Sequence, residues 1–323
     1  MLEHMALNIA HIGLPKAAST YLQLHYFAKI GCPFFSTQPP FAWPEELGFV
    51  FETNAVWYAD ILARSKFFSR EEREQNYQRT VGSSFPKWEM AARRFASQTE
   101  GLSALLSAEG LSSLALPIAR HHAALLKSAG IGRIVLITRR QTDYAVSLWR
   151  QFLLAEDRFA RFVTFDTLFC AAAPGQAVVD MEWSSYLEIY DAVFGQDNVL
   201  ALPYEQLASS PKDFFVHCNR FLGVDESIAP PSDRQENPSR RDDVYHGLKV
   251  DQAIPFVWMP RFRRLLHEVA KHDPSIMRVL GLERAYPMSV ATESLDHIRK
   301  IHRHGNQRLA DRMQMDFGIY GYF

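Results

Sequence analysis

The strongest constraint on this chain is a repeated local unit: a short apolar run that ends in a polar residue and gives way to a helical stretch. Residues 7–13 read as a buried strand and turn, and Ser19 and Thr20 then open a helical stretch to about Ile30, with Tyr21, Leu24 and Ala28 on its apolar face. Residues 102–108 are a second apolar run, closed by Glu109 and Gly110, before a helix over 116–128 that Gly130 and Gly132 end. Residues 133–138 are the richest in β-branched side chains and lead through Arg139 and Arg140 into a helix over 143–154. A last run, 199–204, leads through Glu205 to a helix over 211–222. Four strand–helix units predict an α/β fold: a central parallel sheet flanked by helices, with ligands bound beyond the carboxyl ends of the strands. Lys16, Glu109 and Arg139 all fall at such ends.

Between the units, residues 33–48 are rich in Pro and aromatic side chains without a period and read as loop. Residues 54–96 read as a charged helical insertion, 229–250 as loop, and 255–316 as mainly helical. Phe34, Phe35, Phe41 and Trp43 either line a pocket or form a local core. Met1-Leu2-Glu3-His4-Met5 has the look of a cloning remnant, so a single domain is expected over 6–323, with insertions at about 33–100 and 155–195.

Charge balance limits the partners. With 35 basic and 36 acidic side chains, a generally basic nucleic-acid binder is not expected, although a local basic pocket is compatible with this. Cys32, Cys170 and Cys218 are too few and too far apart for a disulfide framework or a metal-ligand pair, which fits a reducing, cytoplasmic location. No apolar run approaches the ~20 residues that span a bilayer. An anchor removed with an earlier N-terminus stays open, as does a homodimer.

The segment Gly13-Leu14-Pro15-Lys16-Ala17-Ala18-Ser19-Thr20 joins the first strand to its helix. Such a turn offers backbone N–H groups to an anion, and Lys16, Ser19 and Thr20 add a charge and two hydroxyls. The plain alternative is a βα turn with a capping Ser and a solvated Lys. Lys16 precedes the Ser-Thr pair by three residues, which is not the Walker spacing.

This segment resembles the phosphosulfate-binding loop of the sulfotransferase family, usually Pro-Lys-(Ser/Thr/Ala)-Gly-(Thr/Ser)-Thr. Ala18 departs from it, standing where the family generally has Gly. A positive φ there would strain Ala, whereas a helix-opening negative φ would accept it. A second segment, 134–149, resembles the family's 3′-phosphate segment, with Arg139 at a strand end and Ser147 eight residues later. Weaker resemblances lie at 199–224, at Asn306 to Leu309, and at Asn237 to Arg241, where members often fold a loop over the nucleotide.

The resemblance implies 3′-phosphoadenosine 5′-phosphosulfate (PAPS) as donor, with the desulfated nucleotide PAP as product and no metal. It implies an acceptor hydroxyl on a small molecule or carbohydrate. Pro15, Lys16, Ala17, Ala18, Ser19 and Thr20 would hold the donor's 5′ end, and Arg139, Ser147, Arg240 and Arg241 its 3′-phosphate. Sulfuryl transfer needs positive charge at the leaving oxygen and a base at the entering one. Lys16 is the candidate for the first task. Glu109 is the candidate for the second, the alternative being a strand-end carboxylate that caps a turn. His11 is a lesser candidate base, and His121 and His122, about 100° apart on a helix, read as ordinary helix residues. Two other functions stay open: a nucleotide-dependent phosphotransferase with Glu205 as metal-binding acid, and a non-catalytic binder of the desulfated nucleotide.

Overall fold

Asn8–His11 forms strand β1, and all four side chains are buried. Successive side chains on a strand point to opposite faces, so burial of the whole run means that both faces are covered. The computed structural model describes residues 8–53, 70–112, 116–155, 164–170, 179–229, 244–248, 283–287 and 289–323. β1 is the centre of a five-stranded sheet with order β2-β3-β1-β4-β5, in which β2 is Phe34–Ser36, β3 Leu105–Ser107, β4 Ile131–Thr138 and β5 Val199–Pro203. Every pairing in it is parallel. The expected α/β architecture is therefore present, with one strand more than the four read from the sequence.

That extra strand is a correction. Residues 33–48 are not loop throughout: Phe34–Ser36 adds to the sheet edge beside β3. A three-residue strand is too short to show alternation, and what makes it a strand is its partner, since the Leu105 amide donates to the Pro33 carbonyl at 2.9 Å. The aromatic residues around it form a local core. Phe34 packs on Phe27 and Phe41, Phe35 on Phe95, and Trp43 on Phe51.

The first helix, α1 (Ser19–His25), is also shorter than expected, and a 3₁₀ turn, Phe27–Lys29, replaces its last part. Helix α2 (Arg70–Gln98) accounts for most of the charged insertion; residues 54–69 lie outside the described residues. Helix α3 (Leu116–Ser128) ends at Gly130, whose φ of 76° lies in the left-handed region that Gly enters without a Cβ penalty. Helices α4 (Gln141–Ala155), α5 (Phe165–Phe169), α6 (Trp183–Phe194), α7 (Tyr204–Ser209) and α8 (Pro211–Leu222) follow. Two further corrections lie beyond them. Val244–Leu248 (β6) and Glu283–Pro287 (β7) pair as an antiparallel ribbon, in regions expected to be loop and helix respectively. Helix α9 (Thr292–Met313) fits the helical reading of the C-terminal region.

Helices α3 and α6 pack together against β4, and α9 packs on α6 and α4. At the end of α1, Tyr26 reaches α8: its hydroxyl donates to Asn219 Oδ1 at 2.6 Å and its ring lies 4.8 Å from that of Phe215. The C-terminal segment is fastened to α4 and α9 by buried polar groups. Asn306 exchanges amide bonds with Gln141 at 2.6 and 3.1 Å and donates to the Tyr322 carbonyl at 2.8 Å. Asn306 and Leu309 therefore do structural work on one face of α9, Leu309 being fully buried. Among the described residues no helix is long and apolar enough to cross a membrane.

Candidate functional site

The sheet register decides which loops meet. His11 pairs with Ser107 and Val135, so the segments that leave β1 and β3 emerge side by side. Thr138 pairs with Pro203, so Arg139 and Tyr204 each stand one step beyond a matched pair. Lys16, Glu109 and Arg139 are thereby gathered at one edge of the sheet, where an open α/β sheet binds ligands.

The loop after β1 has an unusual backbone. Lys16 and Ala18 both have positive φ, 66° and 61°, while Ala17 between them does not. Such alternation turns successive amides toward one side and makes a concavity suited to an anion. Ala18 is the residue before α1, with φ 61° and ψ 19°, and caps the helix with no side-chain hydrogen bond. The negative-φ option for Ala18 is thus overturned, and so is capping by Ser19, which lies inside the helix. Ser19 is buried and donates its hydroxyl to the Leu14 carbonyl at 3.2 Å. Leu14 and Ala17 are fully buried, and the Ala17 amide donates back to Leu14 at 3.2 Å. The loop is therefore anchored from inside, Pro15 and Thr20 are half-buried, and Lys16 is exposed.

A left-handed φ costs an L-residue with a Cβ roughly 1–2 kcal/mol. Ala18→Gly is accordingly expected to stabilise the protein by about 1 kcal/mol, after Gly's own entropic cost. A urea midpoint that is unchanged or lower in this variant would contradict the backbone described for Ala18.

Glu109 opens a 3₁₀ turn, Glu109–Leu111, directly after β3. Burial raises its pKa above the ordinary carboxylate value, and the Lys16 charge and the Ser19 hydroxyl pull it part of the way back. Base candidate, cation and hydroxyl therefore act on one another in one place. Among the described residues no hydrogen bond makes the Glu109 side chain a cap of this turn; its carbonyl accepts from the Ser112 hydroxyl at 2.8 Å and the Ser112 amide at 3.3 Å.

Arg139 is half-buried and does more for the loop than the sequence suggested. Its guanidinium donates to the Lys16 carbonyl and lies over the Tyr204 ring, 5.0 Å from the centroid. Its own carbonyl accepts from Trp183 Nε1 at 2.8 Å. Among the described residues, Nε of Arg139 is buried without a partner. Ser147 lies in the second turn of α4, half-buried, and no hydrogen bond joins it to Arg139 among the described residues. Arg240 and Arg241 lie outside the described residues.

The other polar candidates have structural partners. Glu205 accepts from the Arg140 amide at 2.9 Å with one oxygen and from the Tyr322 hydroxyl at 3.0 Å with the other. His122 is fully buried, bonded to the Leu111 carbonyl at 2.9 Å and to Thr53 Oγ1 at 2.8 Å, and His121 bonds to the Pro117 carbonyl at 2.9 Å. His11 is fully buried, with Nδ1 2.7 Å from Ser107 Oγ. Burial pulls its pKa down to about 3, which makes it too weak a base for the task. A cleft of about 650 Å³ lies elsewhere, between α3, α6 and α9. Its acidic wall is already matched, since Arg308 lies 3.5 Å from Glu182 and 3.4 Å from Glu188.

The buried histidines predict an acid sensitivity. His122 is likewise depressed, to about 4, mainly by burial. Both bind a proton more readily unfolded, at a pKa near 6.5, so stability present above pH 6.5 is lost as the pH falls toward the folded values. Between pH 7 and 5 the pair is expected to cost up to about 4 kcal/mol. Glu109 and Glu205, both raised by burial, titrate in the opposite sense and offset part of this. Urea unfolding at the two pH values measures the balance; equal stabilities would contradict the burial of the two rings.

Sequence reasoning missed Tyr204 as the platform for Arg139, and Gln23 and Ser107 beneath the loop. The signal for Tyr204 was its place one residue past β5, matching that of Arg139 past β4, but it needs the strand register to be read.

No known family profile and no curated protein matches this chain. Several solved structures are similar to it. A sulfotransferase from Alicyclobacillus acidocaldarius has a TM-score of 0.48 and 12% identity over 97% of this chain and 98% of that one. Mouse sulfotransferase SULT7A1, complexed with PAP, has a TM-score of 0.35 and 12% identity over 68% of this chain and 60% of that one. The sulfotransferase domain of the Synechococcus PCC 7002 olefin synthase has a TM-score of 0.32 and 16% identity over 69% of this chain and 76% of that one. These are likenesses of chain path at low identity, and the chemistry has to come from the residues themselves.

Proposed function

We propose that this chain is a sulfotransferase that moves a sulfuryl group from PAPS to an acceptor hydroxyl on a small molecule or carbohydrate. The observation that carries the reading is that the register of β1 and β3 sets the loop of Lys16, with its two positive-φ residues, beside the turn in which burial raises the Glu109 carboxylate. A carboxylate raised by burial is suited to accept a proton, and the cation beside it is suited to developing negative charge.

In this mechanism the acceptor oxygen attacks sulfur in line with the bridging phosphate oxygen. The new O–S bond forms as the old one breaks, and the acceptor's proton passes to Glu109. The electron pair of the broken bond stays on the phosphate oxygen, where Lys16 stabilises it. The loop amides and Ser19 hold the phosphosulfate, and Arg139 fixes the loop through the Lys16 carbonyl while keeping donors for the nucleotide. Ser147, Arg240 and Arg241 are proposed as further contacts to the 3′-phosphate. The phosphotransferase alternative loses support because both oxygens of Glu205, its nominated metal ligand, already accept hydrogen bonds.

A thermal-shift comparison of PAP, ATP with Mg²⁺, and NAD tests the donor. At a hundred times its Kd, a ligand that binds only the folded state adds about 2.7 kcal/mol of stability. PAP alone is expected to do so. A larger shift with ATP and Mg²⁺, or none with PAP, would sink the reading.

A further inference from the structure

Beneath the loop a chain of hydrogen bonds ends in a buried N–H that has no acceptor among the described residues. Gln23, buried on α1, donates Nε2 to the Ser107 carbonyl at 3.2 Å and to Ser107 Oγ at 3.0 Å. A carbonyl only accepts, which fixes the amide orientation, and an amide nitrogen only donates, so it occupies a lone pair of the hydroxyl. Oγ keeps a second lone pair, but no other acceptor for its own proton stands within reach among the described residues, so that proton goes to His11 Nδ1, 2.7 Å away. An imidazole that accepts at Nδ1 carries its own proton at Nε2. Among the described residues that Nε2 has no partner, although His11 is fully buried, and an unmade buried bond is costly.

Nε2 faces the loop. A Cβ on Gly13 would fall 2.6 Å from His11 Nε2 and 2.5 Å from Ser19 Oγ, so the missing side chain of Gly13 is what lets these two groups share one space. Ser19 Oγ meanwhile reaches inward to the Leu14 carbonyl at 3.2 Å and also stands beside the Glu109 carboxylate, so its one proton has two protein acceptors before any ligand binds.

We propose that His11 is a positioning residue for the anion loop: its Nε2–H occupies a lone pair of Ser19 Oγ, so that Ser19 turns its own proton outward onto an anionic oxygen of the bound donor. This deepens the sulfotransferase reading and rests on it. The imidazole stays neutral throughout and transfers no proton, in keeping with its strongly lowered pKa. Gly13 is required for the same reason, since any side chain there would separate Nε2 from the hydroxyl.

The test uses the two amide isosteres. His11→Asn offers Ser107 a partner but removes the donor below Ser19, whereas His11→Gln returns an N–H to that place. By calorimetry, H11N is expected to bind PAP roughly tenfold more weakly, and H11Q to stay within about threefold of wild type, as for one neutral hydrogen bond. In a Ser19→Ala background, H11N should cause no further loss. Equal affinities of H11N and wild type, or additive losses in the double variant, overturn the role. If H11N loses its fold by circular dichroism, the wild-type protein decides by ¹⁵N NMR of labelled histidine. The Nε2–H tautomer with a resonance moved by PAP supports the role; an Nδ1–H tautomer, or a resonance PAP leaves in place, overturns it. Failure of wild type to bind PAP removes the donor reading itself. Binding that does not depend on His11 removes only this positioning role.

Discussion

Glu109→Gln is expected to lower kcat by ~10²–10⁴, the range for losing a general base, while leaving PAP affinity close to wild type. The amide keeps the size of the side chain and its ability to meet the Ser19 hydroxyl, so the loop has no reason to move. What it loses is the capacity to take a proton. The pH profile gives a second readout. Burial raises Glu109 above the ordinary carboxylate range, and Lys16 and Ser19 only partly reverse this. Activity that needs the ionised form is present at high pH and falls as the pH drops through this raised value. The acid limb of kcat/KM should therefore lie above the ordinary Glu value of about 4.3, and should vanish in the variant. A kcat near that of wild type in Glu109→Gln would remove the base role; no turnover in the wild-type protein beside tight PAP binding would favour a binder of the desulfated nucleotide.

Much of this site was legible because its polar residues sit where apolar runs stop. Lys16, Glu109 and Arg139 each follow a strand that hydrophobicity alone reveals, and a parallel sheet sends all such ends to one edge. Their partners were harder to see. His11 meets Ser107 only through the β1–β3 register, and Arg139 meets Tyr204 only through that of β4 and β5. Register between parallel strands is set by packing across the whole sheet, and strands this far apart in sequence carry no local mark of it. The same holds for Tyr322, which reaches Glu205 from the far end of the chain and so turns a nominated metal ligand into a structural acceptor.

The errors have local causes as well. Phe34–Ser36 is too short for a period, and β6 and β7 pair across a long intervening segment, so neither announces itself. Ala18 is a different case. The departure from Gly was plain in the sequence, but which of two backbone conformations it adopts depends on the neighbours that anchor the loop. Leu14, Ala17 and Ser19 are all buried, and together they hold Ala18 at φ 61° despite its Cβ. Strain kept at an anion loop, where the amides must face one way, is consistent with a binding role.

Lys16→Ala should produce the second large loss, and it separates binding from catalysis. If Lys16 stabilises charge that develops on the leaving oxygen, kcat falls by ~10²–10³, as when one such donor is removed elsewhere. Donor affinity should also weaken, by roughly 1.5–3 kcal/mol for a charge-assisted bond. Ala retains a Cβ at the positive φ of Lys16, so the loop backbone is not relaxed by the change. The variant also reports on Glu109. Without the neighbouring cation that lowers it, the carboxylate rises further, and the acid limb of the pH profile should move upward. If both side chains serve one transition state, the Lys16→Ala and Glu109→Gln losses should combine to less than their product. A weaker Kd with kcat unchanged would confine Lys16 to holding the donor. An acid limb that does not move would separate two groups whose coupling is the core of this site.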